Sequence, residues 1–219
     1  MNKKLNKKLN EIYNLLHEAF GPMHWWPAET SFEVMVGAIL TQFVSWKNVE
    51  TAICNLKSEG LLSIDGICSV DNEKLEELVW CTRFYKQKTK KLKGFCLHLK
   101  HTYGGNLDVF FKKEPGELRK ELLSLYGVGE ETADSIMLYA AGKPVFVVDA
   151  YTRRIFGRLG FFGEKASYSE IQKLFMDNLE HDVKLFNEYH ALIVRVGNRY
   201  CTGKTPRCSE CPLNVMCKM

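Results

Sequence analysis

The apolar positions of this chain recur at the spacing of α-helices over most of its length. One set, three or four residues apart, defines the buried face of a first amphipathic helix: Leu5, Leu9, Ile12, Leu16 and Phe20. The same periodicity predicts helices in WKNVETAICNLKSEG, NEKLEELVW, PGELRKELLSLYG, SYSEIQKLFMDNLEH and KLFNEYHALIVRVGNRYC. The pattern therefore predicts an all-α fold.

Two segments differ from this amphipathic pattern. FEVMVGAILTQ is apolar on nearly every side, which predicts a central helix, and Thr30 and Glu33 precede it with the spacing of a capping box. PVFVVD is the one run that resembles a strand. It is short, and it predicts either a strand or an extended, buried connection.

Length and charge narrow the class of protein only a little. The 219 residues allow one large domain or two small ones, and a net charge of +4 permits nucleic-acid binding without requiring it. No apolar run approaches the roughly 20 residues of a membrane span. MNKKLNKKLN lacks the apolar core of a signal peptide, so we expect no membrane association and a cytoplasmic location.

Four of the eight cysteines lie close together in the pattern C-x6-C-x2-C-x5-C: Cys201, Cys208, Cys211 and Cys217. In a reducing compartment this spacing indicates a metal site. Zinc usually takes two C-x2-C pairs and only one is present, so the spacing favours a 4Fe–4S cluster but leaves zinc open. Lys204 and Arg207 lie in the first loop, where they are either solvated or contact phosphate.

The segment ELLSLYGVGEETADSIMLYAA predicts a helix, a tight turn and a second helix. Gly127 and Gly129 allow backbone conformations that side chains forbid, and free amides at the start of the second helix can bind a phosphate. Taken alone, the turn predicts no more than a helix connection. About twenty residues later, VFVVDAYTRR places Asp149 at an apparent helix start, where its simplest role is that of an N-cap.

The hairpin, the aspartate and the cysteine pattern occur in this order in a known family. Together with GAILTQ and FYKQKTKKLKGF, they resemble the endonuclease III-like DNA glycosylases of the helix-hairpin-helix superfamily over essentially the whole chain. The resemblance implies a two-domain all-α fold with DNA in the cleft between the domains. A six-helix barrel would span 22–143 and carry the helix-hairpin-helix at about 119–141. Residues 1–21 and 144–219 would form the second domain, with the cluster loop at 201–217.

The resemblance also implies partners and cofactors. The partner would be double-stranded DNA containing damaged bases, bound by a nucleoid-associated monomer. The four cysteines would hold a 4Fe–4S cluster rather than zinc. The hairpin amides of Gly127, Val128 and Gly129 would bind a backbone phosphate, and the carbonyls of Leu123, Leu125 and Val128 would bind a monovalent cation, Na⁺ or K⁺.

The most informative departure from the family pattern occurs at the position of the catalytic lysine. Bifunctional members carry this lysine at the second residue after Gly-Val-Gly, where this chain has Glu131. A carboxylate cannot form the Schiff base of the lyase reaction, so we predict a monofunctional glycosylase. Glu131 could also be a first-turn acid that stabilises its helix. Asp149 matches the family's catalytic aspartate, which would stabilise the positively charged sugar and orient or deprotonate water.

Three of the four tryptophans flank the central helix: Trp25, Trp26 and Trp46. They are either core residues or a base pocket, and indole faces favour a cationic N-alkylated purine. WWP, GAILTQ and Glu131 resemble the 3-methyladenine glycosylase branch. This resemblance implies that Trp25 and Trp46 sandwich the base and that Glu131 lines the same pocket. It also implies that Gln42 fills the gap left by the flipped nucleotide. That branch includes members without the cluster cysteines.

We therefore predict a glycosylase for alkylated purines such as 3-methyladenine. Two alternatives remain: a glycosylase/lyase for oxidised or mismatched bases, and a non-catalytic damage-binding protein.

The basic run of FYKQKTKKLKGF is predicted to be a solvated helix face: Lys86, Lys88, Lys90, Lys91 and Lys93. No histidine has the spacing of a metal ligand, and Tyr151 is expected to pack in the core.

Overall fold

The structure is a computed structural model, which describes residues 2–217. Within this range the regular secondary structure is helical, as the apolar pattern predicts. The helices are α1 (Lys3–Phe20), α2 (Ser31–Leu40), α3 (Trp46–Ser58), α4 (Ile64–Ser69), α5 (Asn72–Val79), α6 (Tyr85–Tyr103), α7 (Leu107–Phe111), α8 (Pro115–Ser124), α9 (Glu130–Ser135), α10 (Ala150–Arg158), α11 (Tyr168–Met176) and α12 (Val183–Arg199). A π-helical segment, Ile136–Ala140, continues α9.

The chain forms two compact units. The central unit is Ala28–Lys143, and the terminal unit joins Met1–Pro27 to Pro144–Met219. The sequence-based division differs at one boundary, because it assigns 22–27 to the domain that contains the hairpin. Within the central unit α2 packs against α3, α6 and the continuation of α9, and its residues Phe32 to Leu40 are all buried. The central position expected for this apolar helix is therefore observed.

The terminal unit is built around the contact between α1 and α12. Leu9, Ile12 and Leu16 are fully buried on α1, and the Tyr189 hydroxyl on α12 donates to Leu9 O at 2.8 Å. The segment PVFVVD is an extended connection whose apolar side chains are buried, with the Phe146 ring stacked on that of Phe175. This settles the choice that the sequence left open for that run.

The predicted capping box at the start of α2 forms only in part. Thr30 Oγ1 accepts from Glu33 N at 3.1 Å, as expected for an N-cap. The Glu33 carboxylate does not complete the box, because its Oε2 accepts from Glu29 N at 3.0 Å and pairs with Lys57 Nζ at 3.0 Å.

Among the described residues, no helix is both long and apolar enough to span a membrane.

Candidate functional site

The turn between α8 and α9 contains two glycines with different constraints. Gly127 has φ +78°, and a Cβ at this position would overlap the side chain of Lys91. Gly129 is the N-cap of α9 with φ −95°, and a Cβ there would have no neighbour within 4 Å. The positive φ and the nearby Lys91 side chain therefore favour glycine at position 127, whereas Gly129 leaves open space beside the first amides of α9.

Two of the acids that follow the turn fasten the hairpin helices together. Arg119 on α8 forms a bidentate pair with Asp134 on α9, with Nε–Oδ1 at 2.7 Å and Nη2–Oδ2 at 3.0 Å. The Asp134 side chain is fully buried, and Glu130 Oε1 lies 3.5 Å from the same guanidinium. Removing one partner of a pair whose carboxylate is buried is expected to destabilise the hairpin. Glu131, by contrast, is exposed in the first turn of α9.

Gln42 lies against this hairpin. Its Nε2 donates to Gly127 O and to Thr132 Oγ1, both at 3.0 Å, and its Oε1 accepts from Lys91 Nζ. The carboxamide is thereby held in one orientation beside the turn. Trp46 begins α3 and is half-buried, and its Nε1 donates to Glu50 Oε1 at 2.7 Å.

Asp149 is a buried carboxylate at the N-terminus of α10. Its Oδ1 accepts from Thr152 N at 2.6 Å, and its Oδ2 lies 3.6 Å from Nε2 of the buried His190 on α12. Burial alone would raise the pKa of Asp149, but the His190 imidazole and the Thr152 amide together hold this pKa below its usual value. The group is therefore both an N-cap and a carboxylate that stays ionised at neutral pH. No sequence pattern singles out His190 as a partner of Asp149.

The rest of α10 connects Asp149 to the cysteine loop. Tyr151 packs against α12 at Gly197, where a Cβ would overlap its ring. Arg154 Nε donates to Cys201 O at 2.7 Å, and Arg158 Nη1 donates to Cys201 Sγ at 3.2 Å. One short helix thus carries the buried carboxylate at its start and the contacts to the cysteine loop near its end.

The four clustered cysteines line one cavity, together with apolar side chains that include Ile155 and Leu213. Burial, reinforced by the charges of the other three thiols, raises the pKa of Cys211. Within 2–217, no three His, Cys, Asp or Glu side chains converge on the position of a single metal ion. Thiols around a shared apolar cavity, with an N–H donor on one sulfur, nevertheless fit the donor set of a 4Fe–4S cluster, in which each iron takes one thiolate.

The remaining predicted site residues differ in their exposure and in their contacts. Arg207 pairs with Glu210 through Nε–Oε1 at 2.9 Å and Nη2–Oε2 at 2.5 Å, whereas Lys204 is exposed. Trp25 and Trp26 are half-buried in the terminal unit, with ring centroids 5.3 Å apart.

The prediction that the basic face of α6 is solvated is wrong at the centre of that face. Lys88 is only 2% exposed, and Lys93 Nζ donates to Val70 O. Burial, with a contribution from the charge of Lys91, lowers the pKa of Lys88 to about 8. These lysines extend from a helix rich in charge into the interior, where backbone carbonyls accept hydrogen bonds from their Nζ atoms.

Residues 36–181 match the model described as "HhH-GPD superfamily base excision DNA repair protein", and the chain belongs to that superfamily. It is a base excision DNA glycosylase related to endonuclease III. The family resemblance and the all-α fold class expected from the sequence are thereby confirmed.

Its relatives span most of the chain. "Putative DNA repair glycosylase MJ1434" of Methanocaldococcus jannaschii is 50% identical over 209 residues, which cover 94% of each chain. Endonuclease III of Sulfolobus acidocaldarius is 25% identical over 98% of this chain and 94% of its own.

Two solved structures share the fold. A trapped endonuclease III–DNA covalent intermediate superposes with a TM-score of 0.83 at 23% identity, covering 97% of this chain and 95% of the other. The H. pylori 3-methyladenine DNA glycosylase bound to 1,N6-ethenoadenine superposes with a TM-score of 0.74 at 27% identity, covering 90% and 96%.

Proposed function

We propose that this glycosylase is monofunctional and hydrolyses alkylated purines such as 3-methyladenine from DNA, with Asp149 as its catalytic carboxylate. The observation that carries this proposal is a buried carboxylate that stays ionised at neutral pH at the position of the family's aspartate. An ionised group of this kind stabilises the positive charge that develops on the deoxyribose as the base departs.

In this proposal the two oxygens of Asp149 have different roles. Oδ1 is held by the Thr152 amide, which fixes the orientation of the carboxylate. Oδ2, which lies 3.6 Å from His190 Nε2, would face the sugar or the attacking water. Water is the nucleophile because Glu131 cannot form an imine, so base release is not followed by strand cleavage.

The proposed base pocket uses Trp25, Trp26 and Trp46 with Glu131. An N-alkylated purine is positively charged, and indole faces attract it by cation–π interaction more strongly than the neutral base. The similarity to the H. pylori 3-methyladenine glycosylase supports this choice of substrate. A strong general acid is unnecessary, because the charge already weakens the glycosidic bond.

The DNA backbone would be held at the hairpin and at the cysteine loop. Amides of Val128 and Gly129 would bind one phosphate, and Gln42 would fill the gap left by the flipped nucleotide. Arg207 contacts phosphate only by exchanging its Glu210 partner, so Lys204 is the stronger candidate in that loop.

Two cofactors accompany this proposal. A 4Fe–4S cluster bound to the four clustered cysteines would cross-link the loop that carries Lys204. The carbonyls of Leu123, Leu125 and Val128 would bind Na⁺ or K⁺. The Leu125 carbonyl already accepts from Val128 N at 3.1 Å and retains a second lone pair for the ion.

Base release from a panel of substrates tests the function. We expect free 3-methyladenine from methylated DNA, with no strand cleavage and no covalent complex after borohydride treatment. Duplexes with oxidised pyrimidines or mismatches are expected to remain intact. Borohydride trapping of the wild-type protein would instead support the glycosylase/lyase alternative, and binding to every lesion without release would support the damage-binding alternative.

The two glycines of the hairpin provide a matched pair of variants. Gly129→Ala is expected to weaken binding of a short duplex about tenfold with little effect on unfolding, because its methyl group enters only the space where a phosphate would approach. Gly127→Ala is expected to destabilise the fold by about 1–3 kcal/mol, because of its positive φ. Fluorescence anisotropy and thermal unfolding measure the two effects, and unchanged DNA affinity in Gly129→Ala would contradict the proposed phosphate site.

A further inference from the structure

Two lysines of α6 join three loops of the central unit. Lys88 Nζ donates to Leu40 O at 2.7 Å, at the end of α2, and to Thr82 O, in the turn before α6. One turn further along α6, Lys91 donates to Gln42, which binds the hairpin. The loops that follow α2, precede α6 and join α8 to α9 therefore form one continuous surface at the start of α6.

Phe43 projects from this surface. Its side chain is 85% exposed, and its φ of +57° lies in the left-handed region that side chains other than glycine rarely adopt. An exposed ring gains nothing from burial, and the left-handed backbone costs conformational energy, so neither feature stabilises the unit. The residue before it is Gln42, which is fixed to the hairpin at 3.0 Å.

The surroundings of Phe43 have the chemistry of a nucleic-acid surface. Tyr126, in the hairpin turn, is exposed, and Lys90 Nζ lies 4.8 Å from its ring centroid. Phe84, before α6, is also exposed, and the Arg83 guanidinium carbon lies 5.1 Å from its ring centroid. Aromatic rings alternate with positive charges, which suits stacked bases flanked by phosphates.

We propose that Phe43 inserts between two stacked bases of double-stranded DNA, next to the nucleotide that is flipped. The inference rests on the proposed function, because it takes duplex DNA as the partner of the hairpin surface. Apolar side chains that wedge into a base step unstack it, and unstacking is part of the cost of flipping a base. The rigid attachment of Gln42 holds the ring in position for insertion.

The test uses a duplex that carries a tetrahydrofuran abasic analogue with 2-aminopurine as the neighbouring base. Wild-type protein is expected to bind it in preference to the undamaged duplex and to raise the 2-aminopurine fluorescence as stacking is lost. Phe43→Asn tolerates the left-handed conformation but lacks the ring. We expect it to bind roughly 10- to 100-fold more weakly, with most of the fluorescence rise lost and the thermal midpoint retained. Phe43→Leu, which keeps an apolar side chain, is expected to lie between the two.

Val109→Asn is the matched control. Val109 is 49% exposed on α7, which packs at the opposite end of α6 through Tyr103 and Phe110. Because α6 is about 28 Å long, this variant is expected to behave as the wild type. A full fluorescence rise with Phe43→Asn would overturn the wedge and leave the proposed function intact. Equal wild-type affinity for the abasic and undamaged duplexes would instead overturn the proposed function.

Discussion

Replacing Asp149 with Asn is expected to slow release of 3-methyladenine by about 10²–10⁴-fold while the fold is retained. Asn preserves the volume and the acceptor oxygen, so it can still take the 2.6 Å bond from Thr152 N and cap α10. Only the negative charge is lost. Because folding lowers the pKa of this carboxyl, the ionised form contributes stability above its unfolded-state pKa, which is lost as the pH falls through the folded-state value.

Single-turnover base release and thermal unfolding separate these effects. Asp182 provides a matched control, because its Oδ1 caps α12 in the same unit by accepting from Leu185 N at 2.7 Å. Asp182→Asn makes the same chemical change away from the proposed centre, and it is expected to leave base release at the wild-type rate. Wild-type release by Asp149→Asn would contradict the assigned role of the carboxylate.

Replacing Cys211 with Ser is expected to reduce bound iron from about four atoms per chain to nearly none and to remove visible absorbance. Binding energy of a resident metal group is also folding energy, and several kcal/mol of it correspond to a fall in Tm of roughly 10 °C. The fall is expected in the terminal unit, where Arg154 and Arg158 attach the cysteine loop to α10.

Cys54→Ser is the control for this substitution, since Cys54 is exposed on α3 in the central unit. It is expected to keep the iron, the colour and the Tm of the wild type. Metal analysis that finds one zinc and no iron in the wild-type chain would contradict the cluster.

The helices could be predicted because their causes are local. Leu9, Ile12 and Leu16 share one face of α1 by spacing alone, and a helix as apolar as α2 has no stable place except a core. The sharp turn at Gly127 could be predicted for the same reason, because its positive φ is a local constraint that favours glycine. The close approach of the Lys91 side chain is a second constraint, which comes from a helix distant in sequence and could not be predicted.

The unpredicted parts of the site depend on contacts between elements far apart in the chain. Lys88 belongs to a run of charges that normally faces water, and it can be buried because the carbonyls of Leu40 and Thr82 accept hydrogen bonds from its Nζ. His190 has no sequence pattern that connects it to Asp149, and only the packing of α10 on α12 places them together. Spacing along one helix contains no information about such pairs.

The discontinuous terminal unit also has a consequence for synthesis. Leu9 and Tyr189, which are hydrogen-bonded in the finished protein, are separated by 180 positions. At about 5–20 residues per second, the ribosome needs roughly 10–35 s to make the partner of α1 after α1 itself. The central unit can fold in that interval, whereas the apolar face of α1 stays uncovered in the nascent chain. In MNKKLNKKLN, lysines and asparagines alternate with the apolar positions of that face. These polar side chains keep α1 hydrated until α12 has been synthesised.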